Sequence, residues 1–230
     1  MLLIFHISCL NSDSESLLRY GLPIKSKEVR ELQSAVELIK ADLKTRRNAF
    51  AKIDLNNAKS LLKKYEQVFV KTAPPSSKGL VEESIGRMQQ LITPLGDYIV
   101  SESDSGSGSV QERDFLDKAF NYQNKLSREL TQFEELFVPP SFSRSIPEEY
   151  RNLPRLNGRA EVDIVLKKPD NSPYNVDGKL YDQAELKLVL DGYNAPITAG
   201  NIVDLINNGF YDKRPVCSKW PTVTIKFELN

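Results

Sequence analysis

The chain has one histidine, His6, in 230 residues. Sites that need several imidazoles, and Ser-His-Asp or Cys-His catalysis, are therefore all but excluded unless a second chain supplies the missing groups. Cysteine is nearly as scarce. Cys9 and Cys217 are the only two, and neither belongs to a CxxC pair, so a disulfide framework or a zinc site is unsupported. Neither sign of charge is in excess. Lys plus Arg and Asp plus Glu number 31 each, which removes the global electrostatic case for nucleic acid or an anionic membrane. No apolar run approaches the ~20 residues that span a bilayer. The N-terminal MLLIFHISCL is short and has no Lys or Arg ahead of it, which makes it a poor signal peptide. We read residues 1–15 as a disordered leader, with a remnant of a targeting segment as the sharper alternative. An Arg-rich, acid-poor transit peptide of the usual length is not evident. No cofactor or metal is expected.

The remaining composition, 40% hydrophobic and 27% charged, is that of a soluble globular protein. The length admits one large domain or two small ones. From Lys27 to Phe137 the apolar spacing is helical. Val29, Leu32, Val36, Ile39 and Leu43 form one stripe. Ala51, Leu55, Ala58, Leu62, Tyr65 and Phe69 form a second, after a register slip near Thr45 to Asn48 that predicts a turn. APPSSKG (Ala73–Gly79) stops the second helix. Val81, Ile85, Met88, Ile92, Leu95 and Ile99 form the third, with Pro94 expected to kink or shorten it. SESDSGSGS (Ser101–Ser109) reads as a flexible linker. The fourth stripe, Leu116, Ala119, Gln123, Leu126, Leu130, Phe133 and Phe137, has one polar member. Four such helices predict an antiparallel four-helix bundle over 16–137, in which all four stripes share a core. A leucine-zipper seam is the alternative for the first stripe, but two heptads are too few to support it.

Val138–Gly158 holds four prolines and reads as an inter-domain linker. The period then changes from 3.6 to 2. RAEVDIVLKK and AELKLVLDG alternate as strands, separated by the turn-rich PDNSPYNVDGKLYD. NAPITAGNIVDLINNG is a helix with Pro196 in its first turn and Gly209 at its stop. TVTIKF (Thr222–Phe227) alternates and offers one more strand.

LVLDGYNAPITAGNIVDLINNGFYD resembles the second strand and first helix of a cyclophilin, a peptidyl-prolyl cis-trans isomerase. APITAGNIVDLI is similar to the family's Ala-Pro-x-Thr-x-x-Asn-Phe helix, with Ile202 in place of Phe. With SLLRYGLPI and IPEEYRNLPRLNGRAEVDI, the chain resembles the multidomain cyclophilins of the thylakoid lumen in plants and cyanobacteria. These join a bundle similar to the PsbQ-type subunit of photosystem II to a cyclophilin barrel. The resemblance implies an α+β fold, namely the bundle plus an incomplete cyclophilin-like β-barrel of two to three strands and one helix over 159–212. It also implies X-Pro isomerisation, proline-containing polypeptides and photosystem II subunits as partners, and a chloroplast thylakoid-lumen location.

The family's arginine, which donates to the developing lone pair of the twisted imide nitrogen, follows the GFYD-like turn on the next strand. Here KRPVCSKW follows instead. Arg214 is succeeded by Pro and lacks the family's surroundings, so it is not expected to be catalytic. Trp220 is expected to belong to a divergent tail (213–230) rather than to a proline pocket. Phe210 and Tyr211 are expected to be packing residues. No catalytic residue is therefore assigned. The tail reads as a departure from the family's reading frame, such as a splice form or a faulty gene model. Three functions compete: an isomerase, a non-enzymatic bundle that binds a lumenal complex, and a fragment with no function.

Overall fold

The computed structural model describes residues 14–104, 110–168, 170–176, 178–212, 215–216 and 223–229. The chain divides into two compact units, Met1–Phe142 and Ser143–Asn230.

The first unit is helical: α1 (Ser14–Tyr20), α2 (Lys27–Lys44), α3 (Asn48–Thr72), α4 (Lys78–Asp104) and α5 (Val110–Glu135). Successive long helices pack together and α2 returns against α5, which closes the four-helix arrangement. Every residue of the four stripes is buried except Tyr65 and Leu116, which are partly covered. Val29, Leu32 and Ile39 are 0% exposed within one chain, so the first stripe serves the bundle core and not a zipper seam. Phe69, Phe133 and Phe137 meet edge to face, with centroids 5.0–6.2 Å apart. Each such contact adds about 0.5–1.5 kcal/mol beyond area burial.

Three local expectations change. Ser14 and Glu15 open α1, while the rest of the expected leader lies outside the described residues. Pro94 does not shorten α4, which continues to Asp104. Ser101–Asp104 are helical and not linker; residues 105–109 lie outside the described residues.

Side chains fix both ends of α2. At its start the Ser26 hydroxyl accepts from the Val29 amide at 3.3 Å, an N-cap. At its end Arg46 takes a left-handed φ of 54°, which costs a non-glycine residue about 1–2 kcal/mol. Its amide donates to Leu43 O and that of Arg47 to Asp42 O, the double bond of a Schellman stop. The guanidinium of Arg46 pairs with buried Glu112 of α5 at 3.0 Å, and that of Arg47 pairs with buried Asp42.

The α1 helix has 7 residues, too few to persist alone in water. Arg19 anchors it. Its side chain is 1% exposed and pairs with Glu37 of α2 at 3.1 Å. It also donates to Ser127 O, Ser127 Oγ and Thr131 Oγ1 of α5 at 2.9–3.2 Å. Arg30 then donates to Arg19 O and Leu22 O, satisfying carbonyls that a helix end leaves open. Arg30 also meets buried Glu134 at 3.5 Å.

The second unit holds β1 (Arg159–Lys167), β2 (Tyr174–Val176), β3 (Lys179–Tyr181), β4 (Ala184–Asp191), α6 (Pro196–Asn207), β5 (Pro215–Val216) and β6 (Val223–Leu229). Its main sheet runs β4-β1-β6-β5 and does not close into a barrel among the described residues. The turn-rich stretch between the two strands carries the separate hairpin β2–β3. The alternating tail does add a strand, β6, which pairs antiparallel with β1. One face of the sheet is apolar: Ala160, Val162, Ile164 and Leu166 stand opposite Leu190, Leu188, Leu186 and Ala184. The other face carries Lys187 between Glu161 (2.7 Å) and Asp163 (3.5 Å). The α6 helix packs Ala199, Ile202, Val203 and Ile206 on the Val162–Leu190 part of the apolar face. It ends at Gly209, φ 65°, whose amide donates to Ile206 O while that of Phe210 donates to Leu205 O, a second Schellman stop.

Two outcomes follow from the bundle. Arg19→Ala leaves buried acceptors and Glu37 without their cation and is expected to cost about 3–5 kcal/mol, read by urea denaturation of the whole chain. Asp54 sits beside Asp42; burial, then the hydrogen bond and charge of Asp42, hold its pKa above the ordinary carboxyl value, against the pull of Arg47. The folded state therefore binds this proton more tightly than the unfolded state. The stabilisation is full below the unfolded value of about 4 and is lost as pH rises through the raised folded one. Asp54→Asn should raise Tm at neutral pH, with the gain disappearing on acidification.

Candidate functional site

The bundle offers an open groove between α2 and α3 of about 390 Å³, lined by Lys27, Arg30, Glu31, Ala35, Leu38 and Leu61 among others. Apart from Ala35, which is buried in the bundle core, its residues lie off the core stripes. Leu38 is 48% exposed between buried Val36 and Ile39. Asn57 and Leu61 line the α3 side. Helical spacing of four and seven puts Ile53 and Phe50 on the same α3 face as Asn57, and these are 62% and 58% exposed. The groove face is thus apolar toward the α2–α3 turn.

Its other end is charged. Lys27 lies 3.8 Å from Glu31, whose carboxylate also accepts from the Tyr65 hydroxyl at 2.9 Å. Arg30 lies over the exposed Tyr20 ring at 5.8 Å. Desolvation, followed by the charge and hydrogen bond of Glu37, holds the Tyr20 hydroxyl above the usual phenol range. This pattern suits recognition of an amphipathic segment by contact. Among the described residues no cluster of three or more His, Cys, Asp or Glu could hold a metal, and no helix is long and apolar enough to cross a membrane.

In the second unit, the motif that carried the sequence resemblance is a packing device. Asp191 accepts from the Tyr193 amide at 3.0 Å and from Asn194 Nδ2 at 2.8 Å. Arg144 donates to Tyr193 O and Asn194 Oδ1, both at 3.0 Å. The Leu156 amide donates to Pro196 O at 3.0 Å, drawing the preceding segment across the start of α6. Gly200 is required there, because a Cβ would run into the Arg155 backbone.

Phe210 and Tyr211 meet edge to face at 5.1 Å, with Phe210 49% exposed. Arg214, Trp220, Cys9, Cys217 and His6 lie outside the described residues. The sequence reading did not single out Leu38, Ile53, Phe50 or Tyr20. The available signal was that Leu38, Phe50 and Ile53 are apolar or aromatic yet off their helices' core stripes.

The family described as peptidyl-prolyl cis-trans isomerase CYP38-like, PsbQ-like domain, matches residues 13–126. Peptidyl-prolyl cis-trans isomerase CYP38, chloroplastic, of Arabidopsis thaliana is 34% identical over 203 residues, 87% of this chain and 42% of that protein. The Synechocystis protein sll0408, named for thylakoid lumen peptidyl-prolyl cis-trans isomerase activity, is 30% identical over 204 residues, 89% of this chain and 46% of that protein. Peptidyl-prolyl cis-trans isomerase CYP37, chloroplastic, of Arabidopsis thaliana is 40% identical over 80 residues, 34% of this chain and 17% of that protein. The chain thus spans less than half the length of these relatives.

Gly200→Ala should destabilise the second unit by about 1–3 kcal/mol through overpacking, read by denaturant titration. Gly79→Ala, with open space around it, is the control and should not lose stability.

Proposed function

We propose, for a chain that belongs to the CYP38-like peptidyl-prolyl cis-trans isomerases with a PsbQ-like domain, that residues 1–230 act as the docking part of such an isomerase in the chloroplast thylakoid lumen. In this reading the helical unit binds a photosystem II subunit. The second unit is the opening of a cyclophilin domain whose substrates are proline-containing polypeptides. Supporting this is one contrast: the first unit has a closed core and an open, amphipathic groove, whereas the sheet of the second unit does not close among the described residues.

Rotation of an X-Pro bond crosses a barrier of about 18–20 kcal/mol because the amide C–N bond has partial double-bond character. Catalysis requires a cationic donor aimed at the imide nitrogen of the twisted state and an apolar pocket for the ring. Arg159 lies over the Tyr193 ring at 5.7 Å, but its side chain is 8% exposed and paired with Asp191 at 3.5 Å. It is not presented to a substrate. Residues 1–230 on their own are therefore expected not to isomerise prolyl bonds.

Purified residues 1–230 should leave the prolyl isomerisation of a test peptide at its buffer rate; acceleration that grows with protein concentration contradicts this. Leu38→Asp should leave the circular dichroism unchanged and lower recovery of photosystem II subunits from solubilised thylakoids about tenfold. Equal recovery with the variant, or none with the unaltered chain, removes the docking reading.

A further inference from the structure

The sheet of the second unit has an open edge. Among the described residues the outer side of β4 pairs with no strand. On the apolar face beside that edge, Leu186 is 54% and Leu188 40% exposed. An unpaired strand edge flanked by exposed leucines is a template for another strand. The charges along β4 favour one partner. Glu185 and Lys187 alternate with Leu186 and Leu188 on opposite faces.

The geometry points to a second copy of this chain as the occupant, paired β4 to β4 in antiparallel fashion about a twofold axis through Leu186. That register sets Leu186 opposite itself and Ala184 opposite the second copy's Leu188, which extends the apolar face without a break. On the polar face it sets Glu185 opposite the second copy's Lys187, twice by symmetry, as an isologous contact requires. The neighbouring registers fail. An axis through Glu185 or Lys187 places that charge against itself, and an axis between residues sets leucine against a charged side chain. Main-chain bonds and leucine burial supply the attraction. The exposed ion pairs are individually weak and choose the register. The result is one continuous sheet across both copies. This inference does not depend on the docking reading of the helical unit.

Mass measurement by light scattering tests it. The unaltered chain should give twice its 26.1 kDa. Glu185→Lys and Lys187→Glu should each give monomers, because each sets like charges opposite one another. An equimolar mixture of the two should recover the doubled mass, since the first variant then meets the second with opposite charges. A second measurement covers loss of fold in Lys187→Glu, whose native cation also serves Glu161. With Cys9 and Cys217 replaced by serine, Leu186→Cys should cross-link to itself on mild oxidation, while Val189→Cys should not. A monomeric unaltered chain, a dimer that survives Glu185→Lys, or equal cross-linking at both positions overturns the proposal.

Discussion

An apolar sheet face must be covered, and a single helix of 12 residues does not cover the apolar face that β1 and β4 present. In the second unit, burial is complete at Val162 (0% exposed) and nearly so at Leu190, then fails at Leu188 and Leu186 along the same strand. The boundary follows the α6 footprint. The helix is held at the Leu190 end by the Leu156–Pro196 and Asp191–Tyr193 bonds, so it cannot slide over the rest. With 54% and 40% of their surfaces in water, Leu186 and Leu188 each forgo about half of the roughly 1.5–3 kcal/mol that full burial of such a side chain contributes. The helical unit meets the same requirement internally, because four stripes around a common axis cover one another.

The groove on the bundle depends on how α2 is fixed. Arg19 and Arg30 tie its first half to α1 and α5, and Arg46 and Arg47 lock its end through Glu112 and Asp42. These are buried or half-buried ion pairs, and their contribution to net stability is smaller than the cost of breaking one member. What they determine is geometry: Leu38 and the α3 face from Phe50 to Leu61 are held in one relation. A docking surface that is set before a partner arrives avoids ordering costs on binding.

Much of the bundle was legible in the sequence because a 3.6-residue period survives any local irregularity; the stripes from Val29 to Phe137 and the turn near Thr45 required no tertiary information. The α1 helix was not legible. Its helicity rests on Arg19 reaching Glu37 and Ser127, contacts distant in sequence. The helical Ser101–Asp104 defied its linker composition because the turn preceding it, with Ser101 bonded to Asp97 O at 2.8 Å, carries the helix onward. The β2–β3 hairpin lay hidden in a stretch dense with turn residues, since strands of three residues give no alternation to read. The groove was visible only in reverse, as Leu38, Phe50 and Ile53 standing off their stripes. The resemblance to cyclophilins rested on residues that position β4 and α6, and so identified a family without supplying a reacting group.

The two units differ in how far each closes its own core. Residue-resolved hydrogen exchange of the whole chain in dilute solution tests this most directly. That difference predicts that amides of α2 and α4, such as Leu32 and Met88, exchange only through global opening of the bundle. Those of β4 and its neighbour, such as Leu188 and Ile164, should exchange at least about 100-fold faster. Equal protection across both units would contradict the account.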